Sequence, residues 1–191
     1  PKTAGALFCG VRYDTADLSR NSGPLDEEAY YQTFQKADRG IIAQINHPPL
    51  PRHYYVELAR GLSLARQHGP LILCLMGKVD NPETVAEMAD FFLRMRGCSW
   101  VLAGGAYGED YILSLRTDFA FGKAYPLMRR VLDGSGSFGG HGHIAGGRIV
   151  LQDSKESTIR SIERELRAGA LQVIGAESED GIPQEGRLLT E

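Results

Sequence analysis

The stretch Gly139-Gly140-His141-Gly142-His143-Ile144-Ala145-Gly146-Gly147 decides the reading of this chain. Five glycines and two histidines fall within nine residues. Residues 121–133 before it carry a helical pattern and residues 148–151 after it read as a strand, so the stretch is expected as a loop joining a helix to a strand. Glycine lacks a Cβ, which frees the backbone for positive φ and lets a ligand approach the main chain closely. Successive N–H groups in such a loop form an anion-binding nest. A histidine inside it adds a side chain that donates to a phosphate oxygen or moves a proton. The combination points to a site for a phosphorylated ligand. A plain flexible linker would carry Gly and Ser without the histidines and without the apolar Ile144-Ala145 pair.

Outward from this stretch the pattern is α/β. Residues 71–76 form an apolar run short enough for a strand buried on both faces. Asn81-Pro82 reads as a helix start, with Val85, Met88, Phe92 and Met95 on one face and Gly97 at the end. Residues 99–103 read as a strand, 104–110 as a turn and 111–115 as a second, antiparallel strand. Pro126 marks the first turn of the 121–133 helix. Asp153 with Glu156 resembles a capping box opening a helix to about Arg167, and 171–174 reads as a last strand. Upstream, residues 5–11 read as the end of a buried helix or strand. Residues 26–38 and 53–68 read as helices, the latter stopping at Gly69-Pro70. Pro48, Pro49 and Pro51 mark a boundary between them. The expected fold class is α/β, a mixed β-sheet flanked by helices.

The 191 residues are 42% hydrophobic and 24% charged, a globular composition that fits one large domain or one domain with a fragment of another. The net charge of −3 lacks the excess of Lys and Arg that a duplex-binding surface carries, so any nucleic-acid contact must be local and small. Three cysteines without close pairing point to reduced thiols and a cytoplasmic location. No apolar run approaches the roughly 18 residues that cross a bilayer, and no signal peptide is visible. A chain that opens on Pro1 instead of Met is expected to be part of a longer protein.

Read with the residues before it, the glycine stretch resembles the DHH-associated domain of the DHH phosphoesterase superfamily, whose signature is GGGHxxAAG-like. Gly139-Gly140-His141-Gly142-His143-Ile144-Ala145-Gly146 matches it here, with Phe138 in place of the first glycine and Ile144 in place of an alanine. Both departures narrow the pocket and keep the histidine. The family also carries a Ser-x-Arg pattern on an upstream strand, matched by Ser114-Leu115-Arg116. Near the N-terminus, Gly10-Val11-Arg12-Tyr13-Asp14-Thr15 matches a Gly-x-x-x-Asp-Thr element that in the family ends a strand and supplies a ligand to a manganese pair. The Asp-His-His triplet and the earlier aspartate motifs do not occur in this chain.

The resemblance implies a division into four parts. Residues 1–50 would be a remnant of a catalytic domain, 51–69 a connecting helix, 70–176 a substrate-binding domain and 177–191 a polar tail or linker. It implies Ser114, Arg116, Gly139, Gly140, His141, His143 and Gly146 as phosphate-binding residues. Asp14 would be a ligand for Mn²⁺ in the intact protein, in a site that this chain leaves incomplete. The implied partner is a phosphorylated small molecule or a short single-stranded nucleic acid, with no membrane and with a homodimer compatible. The rival reading is a nucleic-acid-binding module without catalysis, like the related domain of alanyl-tRNA synthetases.

From the residues alone, Arg116 either gives planar, bidentate phosphate recognition or is an edge-of-sheet arginine paired with a nearby acid. His141 is expected to face the ligand. His143 either joins it or fills the loop, because alternate residues in an extended segment point apart. A metal site built on the two histidines lacks a third ligand at suitable spacing. Gly134-Ser135-Gly136-Ser137-Phe138-Gly139 fits GxGxxG, but that fingerprint needs a strand before it and a helix after it, and here the order is reversed. Trp100, Tyr107 and Phe138 are candidates for stacking on a base, with core or rim packing as the more economical reading.

Overall fold

A computed structural model describes residues 1–19, 22–132, 134–175 and 186–190. It divides into two compact units, Pro1–Leu50 and Pro51–Glu191. The first holds helices α1 (Lys2–Asp14), α2 (Pro24–Lys36) and α3 (Arg39–Asn46) around Phe8, Cys9 and Ile42. Residues 5–11 are therefore helical throughout. Helix α2 begins where Gly23 donates its N–H to Asp26 at 2.8 Å with Pro24 at the first position. Helix α3 starts because Asp38 accepts from the amides of Gly40 and Ile41.

The second unit is a seven-stranded sheet in the order β5-β6-β4-β3-β2-β1-β7. The strands are β1 (Arg66–His68), β2 (Leu71–Lys78), β3 (Trp100–Tyr107), β4 (Asp110–Thr117), β5 (Ser137–His141), β6 (Ile144–Val150) and β7 (Arg187–Leu188). Among the described strands only β2 and β3 run parallel, so the sheet is mixed, as expected. Helices α4 (Arg52–Leu64) and α5 (Glu83–Leu93) cover one face; α6 (Ala124–Leu132) and α7 (Glu156–Ile174) cover the other.

Strand β2 shows why its apolar run is continuous. Leu71 and Leu73 enter the core under α6 and α7 with Trp100, Leu102, Leu113 and Leu115. Ile72, Cys74 and Met76 enter the core under α4 and α5 with Val85, Met88 and Phe92. A strand covered on both sides needs apolar side chains at every position. Trp100 is fully buried, which assigns it to the core instead of to a stacking surface.

Four expected boundaries differ. The 53–68 helix ends at Leu64, and Arg66–His68 instead pairs antiparallel with β2. The end of the polar tail supplies β7, which pairs with β1; residues 176–185 and 191 lie outside the described residues. Residues 171–174 continue α7, because Ile159, Leu166, Ala170 and Leu171 follow one helical stripe into the core. That helix ends at Gly175, whose φ of 65° is the left-handed cap that glycine accepts. Asp153 makes no capping box. It accepts from the Lys155 amide and the Thr158 hydroxyl, and the helix starts at Glu156.

Tyr111 donates its hydroxyl to Glu163 at 2.9 Å, and the Gly77 amide donates to the same carboxylate oxygen at 2.7 Å. Burial, with Glu163 adding to it, raises the Tyr111 pKa well above its usual value. Gly104 makes room for this ring: a Cβ there would stand 2.6 Å from it. The cysteines Cys9, Cys74 and Cys98 are free and buried. Burial pushes the Cys74 thiol up to about 12 and that of Cys98 to about 11. No described helix is long and apolar enough to cross a membrane.

Candidate phosphate site on the glycine hairpin

The glycine stretch is a β-hairpin, not a loop. Gly139 pairs with Gly146, Gly140 with Ala145, and His141 with Ile144. The two-residue connection is Gly142-His143. Gly142 has φ of 52° while His143 does not enter the positive range, the requirement of a type II′ turn with glycine at its first central position. The hairpin removes the expected anion nest. Strand β6 lies between β5 and β4, so its amides are spent on ladders at both sides, and only the outer edge of β5 keeps amides facing outward.

Pairing places the side chains. Residues opposite one another on neighbouring strands share a face. Ser114 stands opposite Gly146, which stands opposite Gly139; Arg116 stands opposite Ile144, which stands opposite His141. These two rows lie on the α5 side of the sheet, where α5 packs over β3 and β4. Gly139, Gly146 and His141 are exposed. A Cβ at Gly139 would meet nothing within 4 Å, and one at Gly146 only the Leu113 carbonyl at 3.7 Å. The result is a bare backbone shelf with Ser114 and Arg116 along one side and His141 at its end.

Gly140 does not belong to this shelf. It alternates to the α6 side, where a Cβ would stand 2.5 Å from the Ile144 carbonyl oxygen and 2.7 Å from Ala145. Its role is close packing within the hairpin. Gly147 shares that side, with Leu132 and Phe138 at 3.3 Å from where its Cβ would be. Phe138 packs against Tyr125 and the core on this face, away from the shelf.

Arg116 lies in an interior strand and is 9% exposed. Its Nε donates to Asp90 Oδ1 at 2.6 Å and its Nη2 to Asp90 Oδ2 at 3.4 Å. Nη1 donates to Ser114 Oγ at 2.7 Å and to the Leu115 carbonyl at 3.3 Å. Of the two readings of Arg116, the pairing with a nearby acid is present, on an interior strand instead of an edge one. Ser114 Oγ accepts from the guanidinium, which orients its own hydroxyl proton away from that bond.

His143 does not join the shelf. Its Nδ1 lies 3.0 Å from the Gly122 carbonyl and 3.2 Å from the Thr117 hydroxyl, and its ring packs at 4.4 Å on Phe119. A carbonyl only accepts, so Nδ1 is the donor of this bond. Thr117 donates its hydroxyl to the same carbonyl at 2.6 Å. This histidine ties the hairpin tip to the 118–123 segment.

Asp14 is the last residue of helix α1, not the end of a strand, and it is exposed. Among the described residues no three His, Cys, Asp or Glu side chains come together as a metal site. The manganese pair that the resemblance implies therefore does not fit the described residues.

Sequence reasoning missed Asp90, Thr117 and Gly122. Asp90 is 26 residues from its partner and carries no local signal beyond standing off the apolar stripe of α5.

No family model matches the chain. An uncharacterized protein of Methanocaldococcus jannaschii is 29% identical over 185 residues, covering 93% of this chain and 37% of its own length. Among solved structures, an exopolyphosphatase-related protein from Bacteroides fragilis superposes with a TM-score of 0.63 at 14% identity, over 90% of this chain and 51% of that one. That likeness shows a shared fold. The chain thus spans about a third to a half of the length of these two proteins. The C-Ala domain of Aquifex aeolicus alanyl-tRNA synthetase aligns over 53% of this chain and 96% of that domain, with 18% identity and a TM-score of 0.38.

Proposed function

We propose that this chain carries the substrate-binding half of a metal-dependent phosphoesterase of the DHH type. Its ligands are phosphate esters such as short oligonucleotides or nucleotides, cyclic ones included. The observation that supports this reading is the open shelf of Gly139 and Gly146 flanked by Ser114, Arg116 and His141 on one sheet face. Two missing side chains let a phosphate or sugar lie against the main chain. The Ser114 hydroxyl and the one Nη2 hydrogen of Arg116 that Asp90 leaves over supply donors from the side of β4, and His141 supplies one from β5. Charge-assisted bonds of this kind are the strong ones in phosphate recognition. The rows are set on strands of one sheet, so their spacing is fixed before the ligand arrives, and little binding energy is lost to ordering.

The shared fold with an exopolyphosphatase-related protein supports the same class. The test is calorimetry with a mononucleotide and a dinucleotide. Arg116→Ala should lower affinity by about 1.5–3 kcal/mol, the worth of a charged hydrogen bond. Equal affinity in wild type and variant would overturn the reading.

A further inference from the structure

Asp90 has no place in the reading above, yet it makes the closest contact to Arg116. The guanidinium has five N–H donors in a planar fork. Asp90 occupies the Nε and Nη2 edge, and Ser114 with the Leu115 carbonyl occupies Nη1. Those bonds leave one Nη2 hydrogen and the Ser114 hydroxyl proton, both on buried side chains, as the donors that the β4 side can offer a ligand. The fork that would grip two oxygens of a terminal phosphate is closed by the protein's own carboxylate. Asp90 is also largely exposed, with 62% of its side-chain surface open to solvent, so its carboxylate meets solvent beside Arg116 instead of being enclosed with it.

We propose that Asp90 is a specificity-determining residue that biases the shelf toward singly charged phosphodiesters and against doubly charged phosphate monoesters. The proposal rests on the shelf being the phosphate site. Its physical content is electrostatic. Repulsion between Asp90 and a bound phosphate scales with the phosphate charge, so it penalises a dianion twice as much, in free energy, as a monoanion at the same position. Its geometric content is that a single guanidinium donor suits one unesterified oxygen, and a diester offers fewer free oxygens than a monoester.

The experiment uses two probes that differ by one methyl group: thymidine 5′-monophosphate and its methyl phosphodiester. At pH 8 the first is a dianion, because the second phosphate ionisation lies near pH 6, and the second is a monoanion. Binding is measured by calorimetry for the full chain and for Asp90→Asn, Asp90→Glu and Arg116→Ala. Asparagine keeps an oxygen to accept from Nε and removes the charge. In D90N the diester should gain about threefold and the monoester about tenfold, the square of the diester gain. D90E should restore the wild-type ratio of the two affinities. If D90N changes both probes by the same factor, or weakens both, Asp90 only holds Arg116 in place and the proposal is overturned. If wild type binds neither probe, or R116A binds both as wild type does, the site reading fails and the proposal fails with it. If D90N melts below wild type, Asp90→Ser, which also removes the charge, is measured with the same two probes, and its ratio decides the question.

Discussion

Gly146 stands directly opposite Ser114 in the β4–β6 ladder, so an absent side chain lies next to the hydroxyl of the shelf. The pairing turns the glycines into a test with two arms. Gly139→Ala or Gly146→Ala adds a methyl group to open space and should leave the melting temperature within a few degrees or raise it, since alanine loses less entropy on folding. Nucleotide affinity should fall in the same variants. Gly140→Ala adds its methyl group against backbone on the opposite side and should cost about 1–3 kcal/mol of stability. Thermal melting and calorimetry on each protein separate the two arms.

The histidines should part in the same way. His143→Ala removes the Nδ1 bond to Gly122 and the contact with Phe119, and should cost about 1–3 kcal/mol of stability. His141→Ala, on the exposed shelf, should change stability by no more than about 0.5 kcal/mol and weaken phosphate binding. Denaturant unfolding beside calorimetry checks both. A His141→Ala variant with unchanged affinity would remove that residue from the site.

Alkaline pH should destabilise the chain through its buried acids. Cys74 and Cys98 rise from about 9 to about 12 and about 11, and Tyr111 rises well above 10, in each case first through burial. The folded state then holds protons that the unfolded state releases. Their contribution is fully present below about pH 9 and is lost as pH climbs from there toward 12. His68 acts at the other end. Burial, then Arg167 and Arg66, lowers its pKa below 6.5, so stability should also fall as pH drops through 6.5. Chemical unfolding at pH 5.5, 7.5 and 10 measures both slopes, and Cys74→Ser should flatten the alkaline one.

Assayed alone with manganese, the chain should not turn over a generic phosphodiester or a short oligonucleotide, because its described residues gather no three-ligand metal cluster. Turnover that survives purification and is lost in His141→Ala would contradict this.

The sequence was most legible where a single local rule ruled. The buried strand at 71–76, the antiparallel strand at 111–115 and the helix after Asn81-Pro82 all follow from apolar spacing and caps. It was least legible where glycine suppresses the pattern. With no side chains to alternate, residues 139–147 hide the period of two that marks a strand, and the hairpin passes for a loop. The 171–174 run shows the opposite ambiguity, since four apolar residues fit a strand or the end of a helix until tertiary packing chooses. In the site, the Ser-x-Arg spacing already puts Ser114 and Arg116 on one face of a strand. Nothing local could reveal that Asp90 meets Arg116 or that His143 turns away toward Gly122, because both partners come from distant elements.

The tip of the hairpin is fastened by its own carbonyls: the Ala124 amide donates to Gly142 at 2.9 Å and the Thr117 amide to His143 at 3.0 Å. These two protons are therefore gauges of the turn. In hydrogen–deuterium exchange, neither amide exchanges until the hairpin lifts from the start of α6 or from the end of β4. A ligand that clamps the shelf should slow both without touching either one. Peptides containing Thr117 and Ala124 thus offer a remote readout of occupancy for any phosphate ester, with no label on the ligand and no need for turnover.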